Sequence, residues 1–315
     1  MLVHGLLFFP ATRFAASQIT DLFDFVWPTA AALWNLRWQV SGFLKEAPDS
    51  TAKQLNDRFV FGSGIYGTNL KKSCINTSWE SQKHNLATVT LTNALSIYEH
   101  WADELLASLG KGSNQGKLFQ RDAGSSGQPG LVETIQRLCA PESSILKPAY
   151  YPVFTSSPKY SWKQIHNLIA CYRYFKELRN AQMHNGGIVD NRAEAAYLNF
   201  AVAAKKEDLG MRGELMHDPA VAGAKVHLHI RGVVGFCDIL LRMMVTVDAE
   251  LSRSHKAEAI LEKAFKDADL RSTLSPKPIA KRMQVLGCCR RAKLPKPAVT
   301  QGIEKFLVDR RLVSR

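Results

Sequence analysis

Residues 161–187 read SWKQIHNLIACYRYFKELRNAQMHNGG, and their periodicity decides the fold class. Ile165, Leu168, Ile169, Tyr172, Phe175 and Leu178 recur at spacings of three and four, which puts one apolar face on an α-helix. Ser161 and Gln164 form S-x-x-Q just ahead of that run, a capping-box pattern that predicts the helix start. Gly186 and Gly187 stop it. Arg179, Asn180 and His184 gather at the stop. The stretch is either a plain helix end or a site placed on one.

The same spacing continues on both sides. From about Asn85, Leu91, Leu95, Tyr98, Ala102, Leu105 and Leu109 make one stripe. GVVGFCDILLRMMVTVDAELSR at 232–253 reads as a buried core helix, and LVETIQRLCA at 131–140 and AEAAYLNFAVAAKK at 193–206 as shorter ones. Ahead of them, residues 9–27 and 28–47 read as two helices, the second opened by Pro28 in its first turn. APESS and KPAYYP read as turns, the Gly/Ser-rich 110–130 as a loop, and VHLHI at 226–230 as a short alternating strand. The tail carries three short helical patterns split by SPKP and LPKP. The expectation is an all-α protein. A four- to five-helix bundle spans 81–253, with a mixed, largely helical N-terminal extension at 1–80 and a basic helical module at 254–315.

The chain has a net charge of +13 and a pI near 9.5, which favours a polyanionic partner, nucleic acid first. From Ser252 onward 16 Lys plus Arg face 6 Asp plus Glu, so this last fifth carries +10 of the total. Lys281, Arg282, Arg290 and Arg291, with Lys176 on the central helix, are the candidate nucleic-acid contacts. The competing reading of such a run is a solvated face. Six cysteines without a C-x-x-C pair imply reduced thiols and a cytoplasmic setting. No run approaches the roughly 18 apolar residues of a membrane span. The start, MLVHGLLFFPATRF, reads as a buried segment rather than a signal peptide.

Four further motifs invite chemistry. GSGIYG at 62–67 matches G-x-G-x-x-G, but no βαβ series follows, so it reads as a Gly-rich turn. GKGSNQGKLF fails as a phosphate loop because Leu118 stands where Ser or Thr is required. His227 and His229 form H-x-H, with no third metal ligand evident nearby, and read as a polar strand face. Cys288 and Cys289 sit beside Arg290 and Arg291, whose charge can activate a thiol; burial would silence it.

Arg179, Asn180 and His184 offer the most definite chemistry. A step of four returns to one face, so Asn180 and His184 share a side, with Arg179 beside Asn180. Histidine moves protons near neutral pH, arginine grips a phosphate, and asparagine orients either. The two glycines behind them would let a ligand approach. Such a set suits RNA cleavage by its own 2′-hydroxyl and requires no metal or cofactor. The competing reading stays open: an Arg near a helix C-terminus complements the dipole, and Gly-Gly is a common stop.

Arg179-Asn180-Ala181-Gln182-Met183-His184 resembles the signature of HEPN domains: Arg, a polar residue, a few positions, then His. An earlier helix, ALSIYEHWADELL, resembles the HEPN helix that bears an acidic residue in an aromatic stripe. The resemblance covers roughly 81–253. It implies a metal-independent endoribonuclease that leaves a 2′,3′-cyclic phosphate and a 5′-hydroxyl, acting as a homodimer with a composite site. On that reading His184 serves proton transfer or phosphate contact, Arg179 the transition-state charge, and Asn180 orientation. Glu99 positions Arg179 or His184, with Asp103 in support. Some HEPN toxins are silenced at a Tyr two residues after the His; Gly186 stands there. The family is common in microbial antiviral defence, which suggests a toxin or effector held by an antitoxin or sensor protein. The alternative is a non-catalytic HEPN-like regulatory or nucleic-acid-binding subunit.

Overall fold

The computed structural model describes residues 7–112, 114–122, 129–270 and 273–313. The first six residues of the apolar start, and residues 113 and 123–128 of the Gly/Ser-rich loop, lie outside them. Among the described residues the regular structure is helical, with no strand. The α-helices are α1 Pro10–Glu46, α2 Ala52–Phe59, α3 Trp79–Ser108, α4 Leu131–Leu138, α5 Leu146–Thr155 and α6 Ile165–His184. They continue as α7 Asn191–Ala201, α8 Ile230–Ser252, α9 Ala257–Asp267, α10 Pro278–Arg291 and α11 Gln301–Asp309. The all-α expectation holds.

Three helices whose apolar stripes run long in the sequence, α3, α6 and α8, pack on one another. Tyr98 of α3 meets Tyr172 of α6 at 4.9 Å between ring centroids, and Phe175 of α6 stacks on Phe236 of α8 at 4.5 Å. Burying such side chains contributes about 1.5–3 kcal/mol each, so these contacts fix the register of α6 against its neighbours. Helix α7 lies on α6, and α5 on α8.

The core takes side chains from all three sequence stretches. Helix α1 packs along α3 and α8, and Phe8, Phe9, Ala15 and Ile19 enter the main cluster. The Phe8 and Phe9 N–H groups donate to the buried carboxylate of Asp248 on α8 at 2.7 and 3.0 Å. The second half of α1 instead joins α2 in a small satellite core around Val40, Leu55, Leu70 and Cys74. In the tail, Leu261, Phe265, Val285, Cys288, Ile303 and Leu307 are buried in the main cluster. Helix α10 packs on α9, and α11 on α5.

Four local expectations differ from the structure. One helix, α1, runs through Pro28 where two were expected. Proline there removes one backbone bond, but Asp24, whose carbonyl loses it, is exposed to water, and the Thr29 hydroxyl caps the next carbonyl, Phe25 O, at 2.8 Å. KPAYYP is not a turn but the body of α5. Pro148 falls in the first turn, where the N–H is unpaired anyway, and burial of Leu146, Ala149, Tyr150 and Phe154 outweighs the bond that Pro152 removes. Ser161 forms no capping box: its hydroxyl accepts from Arg242 and donates to Lys159 O, and a 3₁₀ turn at 162–164 leads into α6. VHLHI makes no strand: the isolated bridge beside it pairs Lys225, one residue ahead, with Ile188, and Ile230 already opens α8. Its alternation survives as burial, with Val226 and Leu228 inside and His227 exposed.

Candidate functional site

Two rows of polar side chains run down α6. Tyr172, Lys176 and Arg179 face α3, and all three donate to one oxygen, Glu99 Oε1, at 3.5, 2.8 and 3.2 Å. The Lys176 amine also reaches Gln120 at 2.5 Å, and it lies over the Tyr172 ring. Arg179 is only 19% exposed, and its Nε is buried without a hydrogen-bond partner among the described residues. A shared, half-desolvated carboxylate fixes the guanidinium through charge-assisted bonds. The second row is Arg173, Glu177, Asn180 and His184, spaced for one face. Arg173 pairs with Glu177 at 2.9 Å, and Asn180 Nδ2 donates to Glu177 Oε2 at 3.1 Å. His184 closes this row, exposed on the last turn and with no side-chain hydrogen bond among the described residues.

The structure joins some of the sequence candidates and separates others. Glu99 and Arg179 are brought together. Asp103 is not part of that knot: its Oδ1 accepts the Gly116 N–H at 2.6 Å and holds the turn after α3. Lys176, expected on a phosphate-facing surface, is only 16% exposed and is engaged by Glu99. Arg179 and His184 lie about 140° apart around the helix. One chain therefore turns its arginine toward α3 and its histidine outward. Among the C-terminal candidates, Lys281 pairs with Glu304 at 3.0 Å, while Arg282, Arg290 and Arg291 are exposed. Cys288 and Cys289 are both buried, and burial pushes the Cys289 thiol up to about 11, the opposite of an activated nucleophile.

Sequence reasoning missed Arg173 and Glu177, although their i,i+4 spacing was a signal. It also missed an open cleft between α6 and α7, lined by Arg121, Arg173, Arg192, Asn199 and His166, the last paired with Asp122. Arg173, at the wall of that cleft, pairs with Glu177, which in turn holds Asn180. No sequence spacing announces the cleft, because it exists only once α7 packs on α6.

The glycines have a conformational task. Gly186 and Gly187 adopt φ of 62° and 80°, a left-handed turn that side chains resist. A Cβ on Gly187 would fall 3.1 Å from Gln182 Oε1. Gly187 N–H donates to Ala181 O, and its carbonyl accepts the Val226 N–H at 2.8 Å. The turn therefore ties the end of α6 to the segment bearing His227 and His229. Gly62, Gly64 and Gly67 likewise adopt positive φ in an exposed loop after α2, without the strand and helix of a dinucleotide site. Among the described residues no helix is long and apolar enough to cross a membrane. Comparison with family models, with curated proteins and with solved structures finds no match to this chain.

Proposed function

We propose that this chain is a HEPN-like, metal-independent endoribonuclease acting as a dimer, of the toxin or effector kind used in antiviral defence. The carrying observation is the Glu99–Arg179 contact, which links the two helices that the resemblance pairs. Glu99 positions the guanidinium for the charge that develops on the phosphate. Asn180, steadied by Glu177, and His184, free on the last turn, supply orientation and proton transfer.

The reaction balances without an ion. A base takes the proton of the 2′-hydroxyl, O2′ forms a bond to phosphorus, the bond from phosphorus to O5′ breaks, and an acid protonates O5′. One histidine per chain supplies one of these transfers, and a second copy the other. Met183 and Ile188, both apolar and exposed beside His184, support a partner at this end of α6. The cleft between α6 and α7, with three arginines against one aspartate, supports an RNA-binding surface on this side of α6.

A second reading has its own observation. Arg179 is already committed to Glu99 and does not share His184's face, as expected of a non-catalytic RNA-binding module. Incubation of RNA with wild type, Arg179→Ala and His184→Ala in EDTA separates the two. Cleavage that survives EDTA, leaves cyclic-phosphate ends and is lost in both variants supports the nuclease. An inactive wild type whose RNA binding is unchanged by either substitution supports the binding module.

A further inference from the structure

Between α7 and α8 the chain runs from residue 202 to 229 without a helix or strand. Irregular connections longer than about 12–15 residues inside a compact fold are uncommon and usually carry a function. This one folds back so that Asp218 meets both histidines of VHLHI. His227 Nδ1 lies 2.7 Å from Asp218 Oδ2, and His229 Nε2 lies 3.1 Å from Asp218 Oδ1. One donor atom from each of the three side chains lies within 4.8 Å of the others.

We propose that Asp218, His227 and His229 bind a divalent transition-metal ion of the zinc class. Two imidazoles and one carboxylate are the donor set that such ions take, and magnesium or calcium, which want oxygen, do not. A tetrahedral zinc with bonds of about 2.0–2.2 Å holds its donors roughly 3.3 Å apart. Each imidazole nitrogen is already near that spacing from the carboxylate, and all three donors lie within 4.8 Å of one another, so side-chain rotations seat the ion. They are half-open to solvent, at 42% for Asp218, 50% for His227 and 31% for His229, which gives the ion an entry path and leaves a coordination position for water or a ligand.

The backbone around the three donors is braced from several sides. The Tyr174 hydroxyl of α6 donates to Asp218 O at 2.6 Å. His229 is the N-cap residue of α8. The Val226 N–H is held by Gly187 O, and the Leu228 N–H by His84 Nδ1 at 3.1 Å. Because His84 accepts at Nδ1, its proton sits on Nε2. His84 is therefore not a ligand. It stacks on His227 at 5.9 Å and fixes the backbone between the two ligating histidines. The ion would staple the long connection to itself, directly behind the end of α6. This site is separate from the proposed cleavage, which needs no metal.

The test uses the full chain without an affinity tag. Zinc chloride is titrated by calorimetry, and cobalt(II) is followed by its visible absorption. The expected result is one ion per chain, an absorption band of a low-coordinate cobalt site, and an affinity lowered about tenfold or more in both His227→Ala and Asp218→Asn. His227 is half-exposed, so its variant keeps the fold, as far-ultraviolet circular dichroism checks. Wild type without zinc binding, or zinc affinity unchanged in either variant, overturns the site and shows two imidazoles merely sharing a carboxylate. RNA cleavage is not a readout here, so this result is independent of the nuclease test.

Discussion

Arg179 on α6 donates to Glu99 on α3 at 3.2 Å, eighty positions away in sequence and face to face in the bundle. Lys176 shares the same oxygen, so two cations rest on one carboxylate. Removing the charge leaves both cations half-desolvated without an anion.

Glu99→Gln is therefore expected to act chiefly on turnover. A guanidinium displaced by a fraction of an ångström costs roughly 10- to 100-fold in kcat, with a smaller effect on KM. The loss in stability is about 1 kcal/mol, because all three groups keep some contact with water. A double-mutant cycle of Glu99→Ala with Arg179→Ala checks the pairing: a coupling of roughly 0.5–3 kcal/mol is expected, and additivity would remove Glu99 from the site.

Asp248 gives the fold a pH dependence. Burial pushes its carboxyl up to about 6, against the pull of the Phe8 N–H, Thr12, the Phe9 N–H and Arg13. An unfolded Asp titrates near 3.9, so between about pH 4 and 6 the folded state holds the proton that the unfolded state has lost. Stability is fully present below that window and falls as pH rises through it, by something on the order of 2–3 kcal/mol from this group. Urea unfolding from pH 3.5 to 7.5 should show that decline in wild type relative to Asp248→Asn, which keeps the shape without the titration. Parallel curves for the two proteins would reject the assignment.

The helices were legible because their apolar stripes recur at 3.6 residues over long runs, as in α3, α6 and α8. Burial of Tyr98, Phe175 and Phe236 then carries the packing. Proline misled twice, at Pro28 and at Pro152, because the cost of one lost backbone bond was weighed without knowing what water or the core returns. In the site, the Arg179–His184 string was visible, and so was Glu99 as a candidate. Which carboxylate would meet Arg179 was not. Glu99 and Asp103 lie one turn apart, and only the loop carrying Gly116 decides that Asp103 is taken. Asp218 was invisible as a partner of His227 and His229, since irregular chain between them has no period to read.

Thiol reactivity follows from burial. All six cysteines are buried and unpaired, and burial pushes Cys139 and Cys289 to about 11 and Cys237 to about 12. Since the thiolate is the reactive species, the native chain should resist a thiol reagent at neutral pH and titrate six groups only after denaturation. Rapid native labelling at Cys288 or Cys289 would show that α10 opens and would revive the idea of a reactive pair.

Gly187→Ala tests the end of α6. The left-handed φ of 80° costs an L-residue about 1–2 kcal/mol, and the new methyl would press on Gln182 Oε1. Gly186→Ala carries the backbone cost alone, because among the described residues nothing beyond its chain neighbours lies within 4 Å of its Cβ position. Thermal unfolding should therefore rank Gly187→Ala below Gly186→Ala. Equal losses would mean that Gln182 moves away freely and that the turn alone matters.

The dimer reading makes a sharper demand than loss of activity in single variants. If each cleavage needs one histidine as base and another as acid, a mixed dimer of wild type and His184→Ala has only one. With free exchange of chains, an approximately tenfold excess of His184→Ala draws most wild-type chains into mixed dimers and lowers the RNA cleavage per wild-type chain about tenfold. Arg179→Ala,His184→Ala should suppress equally well, since pairing rather than chemistry is at work. A wild-type rate unchanged by excess variant, under conditions where size-exclusion chromatography shows mixed dimers, would mean that a single His184 suffices and that the two-histidine mechanism is wrong.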